Sequence, residues 1–140
     1  MARTMTWRTE GRVQVVLHGK QSPSRLEWQR YLSDLLPNGA LLHEERRIVV
    51  VSNGGAPDGE QRRQMAEVVG KWKKPPLALL TDSPIVRGMV AALRIFNPSM
   101  RAFRRDELAS ACLFLELAPG EAARVTELVA ELRAEIGKDA

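Results

Sequence analysis

Cysteine is all but absent. A single Cys112 in 140 residues excludes an internal disulfide framework and agrees with a reducing compartment. Histidine is nearly as scarce: His18 and His43 are the only two. Neither has a cysteine or carboxylate at metal-ligand spacing, so both read as structural side chains. Aromatic residues make up 5% and the formal net charge is +4. That leaves too few stacking platforms and too thin a basic stripe for a nucleic-acid binder. No apolar run approaches the roughly 20 residues that cross a bilayer. Residues Met1 to Trp7 also lack the apolar core of a secretory leader. The expectation is a cytoplasmic protein without a membrane span.

Catalytic signatures are missing too. No serine sits in a Gly-x-Ser-x-Gly elbow. The glycine-rich stretch Asn53-Gly54-Gly55-Ala56-Pro57-Asp58-Gly59 lacks the Gly-Lys-Ser/Thr ending of a phosphate loop. Pro57 removes an N–H from it, and Asp58 puts negative charge where phosphate would sit. Cys112 falls on the inner side of a helix, as a small apolar residue. No nucleophile-base or metal constellation can be assembled. No catalytic, cofactor-binding or metal-binding residue is assigned, and an enzyme is the least expected class.

What is present is an ordinary globular composition, 44% hydrophobic and 27% charged, in a length that suits one domain. The chain is organised around residues 77–99. Leu77 to Leu80 is a short apolar strand, and Thr81-Asp82-Ser83 is a tight polar turn. Ser83 supplies an N-cap and Pro84 fits the first helical position. Ile85/Val86, Met89/Val90, Leu93 and Phe96 then recur at helical spacing until Asn97-Pro98. This is half of a βαβ unit, with its turn at the carboxyl end of the strand, where such folds place ligands and partners.

The rest follows in order. Thr6–Thr9 and Arg12–His18 form a hairpin around a Glu10-Gly11 turn. A Ser22-Pro23 start opens a helix to Leu36, with Trp28, Tyr31/Leu32 and Leu35/Leu36 inside, ended by Pro37-Asn38-Gly39; Leu41 and Leu42 dock on the sheet edge. The β-branched run Ile48-Val49-Val50-Val51 marks a strand covered on both faces. Asp58 and Gln61 form an approximate capping box for a helix with Met65, Val68 and Val69 inside and Gly70 at its end. Lys71-Trp72-Lys73-Lys74 reads as a solvated connection with Trp72 on the core. Met100–Phe103 is a short edge strand. Asp106 caps a helix over 107–117, in which Leu108, Ala111/Cys112 and Leu115 face inward. Val125, Leu128/Val129, Leu132 and Ile136 stripe a last helix. The prediction is an α/β fold: a mixed, mostly parallel sheet of about five strands with an N-terminal β-hairpin, covered by helices.

The element order, the Thr81-Asp82-Ser83 turn and the stretch Phe103-Arg104-Arg105-Asp106-Glu107-Leu108-Ala109-Ser110-Ala111 resemble the STAS, or anti-sigma-factor-antagonist, fold and its SpoIIAA-like relatives. The resemblance covers residues 6–117. It divides the chain into a STAS-like domain, 1–119, and an added amphipathic helix, 120–140, packed on it or extending it. It implies a non-enzymatic regulatory module that binds a protein partner, and in one group of the family a turn serine switched by phosphorylation. Asp82 and Ser83 match those positions, but Pro84 departs from the family's small residue followed by glycine. Arg87 and Arg94, seven apart on one helical face, complete a partner surface made of Thr81, Asp82, Ser83, Arg87 and Arg94. One alternative is a carrier of a small lipid or nucleotide, with an apolar pocket between the helices over 84–96 and 107–117. The other is a structural subunit that self-associates through the 125–136 stripe.

Overall fold

A single sheet with two differently covered faces accounts for the architecture. The computed structural model describes residues 3–35, 46–69, 75–95 and 98–137. Its strands are β1 (Met5–Glu10), β2 (Val13–His18), β3 (Arg47–Ser52), β4 (Leu77–Leu80) and β5 (Met100–Phe103). They lie side by side in that order, β1 antiparallel to β2 and the rest parallel. The helices are α1 (Arg25–Leu35), α2 (Gly59–Val69), α3 (Pro84–Leu93), α4 (Leu108–Phe114) and α5 (Pro119–Ile136). This is the α/β class and the mixed five-strand sheet that the sequence predicts.

Each crossover from β2 to β5 steps one strand in the same direction. With one preferred handedness, all three connecting helices must land on one face. Accordingly Trp28 and Tyr31 of α1 pack with Met5, Val16 and Ile48, beside Met65 and Val68 of α2. The opposite face carries Val15, Leu17, Val49, Val51 and Leu80, and α4 and α5 close over it. β2 is buried along its whole length because both faces are in use, which explains why Val16 breaks a simple alternation.

α5 is tied to the hairpin by charge as well as by its apolar stripe. Arg124 makes a two-pronged bond to Glu10 at 2.8 and 2.7 Å, and Arg12 does the same to Glu121 at 2.8 Å on each prong. Bidentate guanidinium–carboxylate geometry is the strong form of such a pair. The Arg12 bonds, joined by the Ala118 amide, pull the Glu121 carboxyl down to about 2.

Several expectations need correction. The hairpin turn is Gly11-Arg12, with Gly11 at φ 57°, because Glu10 still pairs with Val13. Helix α1 starts at Arg25, and Ser24 rather than Ser22 accepts the Glu27 amide, at 3.2 Å. Glu27 rewards that choice by accepting the Thr4 and Met5 amides. Asp106 does not cap α4; it pairs with Arg104, and Glu107 accepts the Arg104 amide. Helix α3 ends at Leu93. The stripe Val125, Leu128, Val129, Leu132 and Ile136 is buried against the chain's own sheet, so it is not available as a self-association face.

His43, Gly70, the Lys71–Lys74 segment, Leu36, the 37–39 stop, Leu41, Leu42, Phe96 and Asn97 lie outside the described residues, as do the side chains of Leu35, Val69 and Leu93.

Candidate functional site

The two sheet faces differ in how well they are filled. Under α4 and α5 the apolar strand side chains are buried. On the α1–α2–α3 face, Val50, Leu77 and Leu79 are only partly covered. Helix α1 packs beside α2, and α3 packs on β5 at the sheet edge, while α2 and α3 barely touch. The strip of sheet between them is the floor of a cleft of ≈ 280 Å³. That is close to the lower end of the range for small-molecule sites.

The register builds this floor in rows. Ile48, Leu77 and Met100 are cross-strand neighbours at the amino end of the parallel strands. Val16, Val50 and Leu79 form the next row. His18 and Ser52 stand side by side at the carboxyl end. All eight line the cleft, because alternate residues of a strand share a face. Walls come from Trp28 and Tyr31 of α1, Arg62 and Met65 of α2, and Val86, Met89 and Val90 of α3. Three of the chain's five methionines, Met65, Met89 and Met100, are among the lining residues. Their unbranched side chains adapt to irregular apolar shapes.

The carboxyl end is the polar end. Ser52 is occupied: its hydroxyl donates to the Gly55 carbonyl at 2.5 Å and accepts the Gly54 amide at 3.0 Å. Tyr31 is satisfied by Gln14 at 3.0 Å. His18 and Trp28 are not. His18 is 5% exposed and Trp28 2% exposed, and His18 Nδ1 and Trp28 Nε1 are buried without a hydrogen-bond partner among the described residues. Such a group costs about 1–3 kcal/mol when nothing pairs with it. Burial alone pushes the His18 imidazole down to about 4, so it is neutral near pH 7. Arg62, in the first turn of α2, donates to the Pro57 carbonyl at 2.8 Å and is exposed at the rim. No aspartate or glutamate lines the cleft among the described residues. A second cavity, of ≈ 320 Å³, lies between α1 and α2 on the other side of Trp28. Its lining mixes Arg25, Asp58 and Glu60 with Gln61, which is already bonded to the Pro23 carbonyl at 2.8 Å.

The predicted partner surface is brought together only in part. Thr81 is buried, and its Oγ1 accepts the Ser83 amide at 3.2 Å. Asp82 is exposed and accepts the Arg105 amide at 3.2 Å. The Ser83 hydroxyl accepts the Val86 amide at 3.2 Å, as a helix cap. Arg87 folds back over the turn toward the Thr81 carbonyl, 3.4 Å away, while Arg94 is exposed at the far end of α3. Each turn side chain therefore has a local structural bond. What α3 does present to solvent is apolar: Ile85 is 78% exposed and Met89 49%. Among the described residues no apolar pocket lies between the helices over 84–96 and 107–117, where one was expected. Those helices, α3 and α4, pack on opposite faces of the sheet, and the cleft lies beside α3 on the α2 side.

His18 and Trp28 carry no local motif, and in the sequence both read as structural residues. The signal that finds His18 is the row it shares with Ser52, visible only once the β2–β3 register is known, whereas Trp28 on α1 is found only by its place in the cleft lining. Comparison with protein-family models, with curated proteins and with solved structures gave no match.

Proposed function

We propose that the chain is a non-enzymatic module that binds a small, largely apolar molecule in the cleft between α2 and α3. The observation that carries this is a sheet face that the chain's own helices leave half-covered, with buried polar groups unpaired at one end. A protein gains nothing from leaving apolar surface and buried donors open, and a ligand would satisfy both. Among the described residues the one histidine of the cleft is neutral, with its Nδ1 unpartnered, and Cys112 sits under the other face of the sheet. That arrangement supports binding rather than chemistry. The strand order, the capped helix after β4 and the short last strand support a STAS-like reading of the fold.

The test is binding of toluene to the full chain, followed by amide NMR. Shifts clustered on Val16, Val50, Leu79 and Met100, and their loss in Leu79→Trp, which fills the cleft, are the expected result. Binding that is unchanged in folded Leu79→Trp would rule the cleft out.

One observation favours a second reading, a protein partner on α3: Ile85 at its start is 78% exposed, and Ile95, just past its other end beside Arg94, is 82% exposed. A partner captured by the wild type and lost with Arg87→Glu/Arg94→Glu supports it; capture that is indifferent to the charge reversal removes it.

A further inference from the structure

We propose that the ligand is a hydrophobic monocarboxylate, lying along the Val16–Val50–Leu79 row with its carboxylate at the His18 end of the cleft. This rests on the cleft being a ligand site, and adds the chemistry of the head group. Three facts converge at that end. His18 and Trp28 are buried with unpartnered nitrogens. Arg62 is the only formal charge among the described lining residues, and its sole hydrogen bond to a described residue is to Pro57. Among the described residues the lining carries no carboxylate that could receive an ammonium group.

Among the described lining residues, the side-chain nitrogens left unpartnered at this end are Trp28 Nε1, a donor, and His18 Nδ1, which donates in one tautomer or when the ring is protonated. Indole N–H and guanidinium are donor-only, and imidazole becomes a donor at both nitrogens when it takes a proton. An anionic head fits such a set and a cationic head does not. The carboxylate is preferred over a hydroxyl because charge-assisted hydrogen bonds are roughly twice as strong as neutral ones. An anion beside His18 would also offset the burial that keeps it neutral, since an opposite charge within a few ångströms favours the charged form. Length is set by the floor. From Ser52 to Ile48 the strand rises by about 13 Å, at roughly 3.3 Å per residue, which suits a short alkyl or aryl acid.

The test titrates the full chain at pH 7 with octanoate, 1-octanol and octylamine, three probes of one length and three head groups. Octanoate should bind about tenfold tighter than octanol, with octylamine weakest. His18→Gln and Arg62→Gln should each erase most of the advantage of octanoate over octanol, with circular dichroism showing that both variants are folded. Octylamine or octanol binding as well as octanoate would overturn the carboxylate while leaving the cleft reading in place, provided Leu79→Trp abolishes all three. Binding of none of the three would remove both.

Discussion

The Gly55 amide donates to the Gly19 carbonyl at 2.8 Å, so the loop after β3 lies directly on the loop after β2 at the polar end of the cleft. The approach is too close for any side chain. A Cβ at Gly55 would stand 2.1 Å from the Gln21 carbonyl oxygen and 2.6 Å from that of Gly19. Both are backbone atoms that cannot rotate away. Gly55→Ala should therefore cost about 1–3 kcal/mol, as overpacking of a tight site does, and should loosen the loops that position His18 and Ser52. Urea denaturation measures the first effect and amide shifts at Gly19 to Gln21 the second. A variant as stable as the wild type would show that these loops are not clamped.

Leu132 is fully buried beneath the sheet, and its treatment decides whether α5 is core or interface. Truncation to alanine removes a side chain packed on the hairpin face and should cost about 2–5 kcal/mol. Leu132→Asp buries an unpaired charge and should leave the chain unfolded by circular dichroism. A folded monomer obtained from an oligomeric wild type would mean that the stripe serves association instead.

The sequence made the fold legible where local signals agreed with one another. The β-branched run 48–51, the Asp58–Gln61 box and the Ser83-Pro84 helix start were readable because each states its own physical reason. Both bonds of that box are present, at 2.9 and 2.8 Å. Helix starts went astray where two candidates stood close together. Ser24 displaced Ser22 through Glu27, whose partners Thr4 and Met5 lie 22 or 23 residues away. The site was less legible than the fold. Ile85 and Met89 continue an apolar helical stripe that predicts burial, yet α3 lies at the sheet edge and leaves them exposed. A stripe records that a face is apolar. What covers it depends on where the neighbouring helix stands. The cleft itself arises from the gap between α2 and α3, a distance that no local pattern encodes.

The cap at Ser83 gives a test of whether the turn is structural. Its hydroxyl accepts the Val86 amide, one of the donors that a helix start leaves without an intrahelical partner. Ser83→Ala should lower stability by about 1 kcal/mol and speed hydrogen exchange at Val86. Ser83→Asp should stay close to the wild type, because aspartate caps equally well and its charge suits the helix N-terminus. Thermal melts of the three proteins measure the order. Equal loss in alanine and aspartate variants would mean that the hydroxyl has another role.

His18 predicts the pH dependence of stability. In the unfolded chain the imidazole has its ordinary value near 6.5, while burial holds it at about 4 in the fold. Between those values the unfolded state binds the proton and the native state does not, so unfolding takes up a proton and stability rises with pH. The contribution is fully present above about 6.5 and is lost as pH falls toward 4. A difference of about 2.5 pH units corresponds to roughly 3 kcal/mol at most. His18→Gln removes the titrating group and should flatten this part of the curve. Urea midpoints between pH 7 and pH 4, measured for both proteins, isolate it by subtraction, because the carboxylates titrate in each. Parallel curves would show that His18 reaches solvent and takes its proton in the folded state.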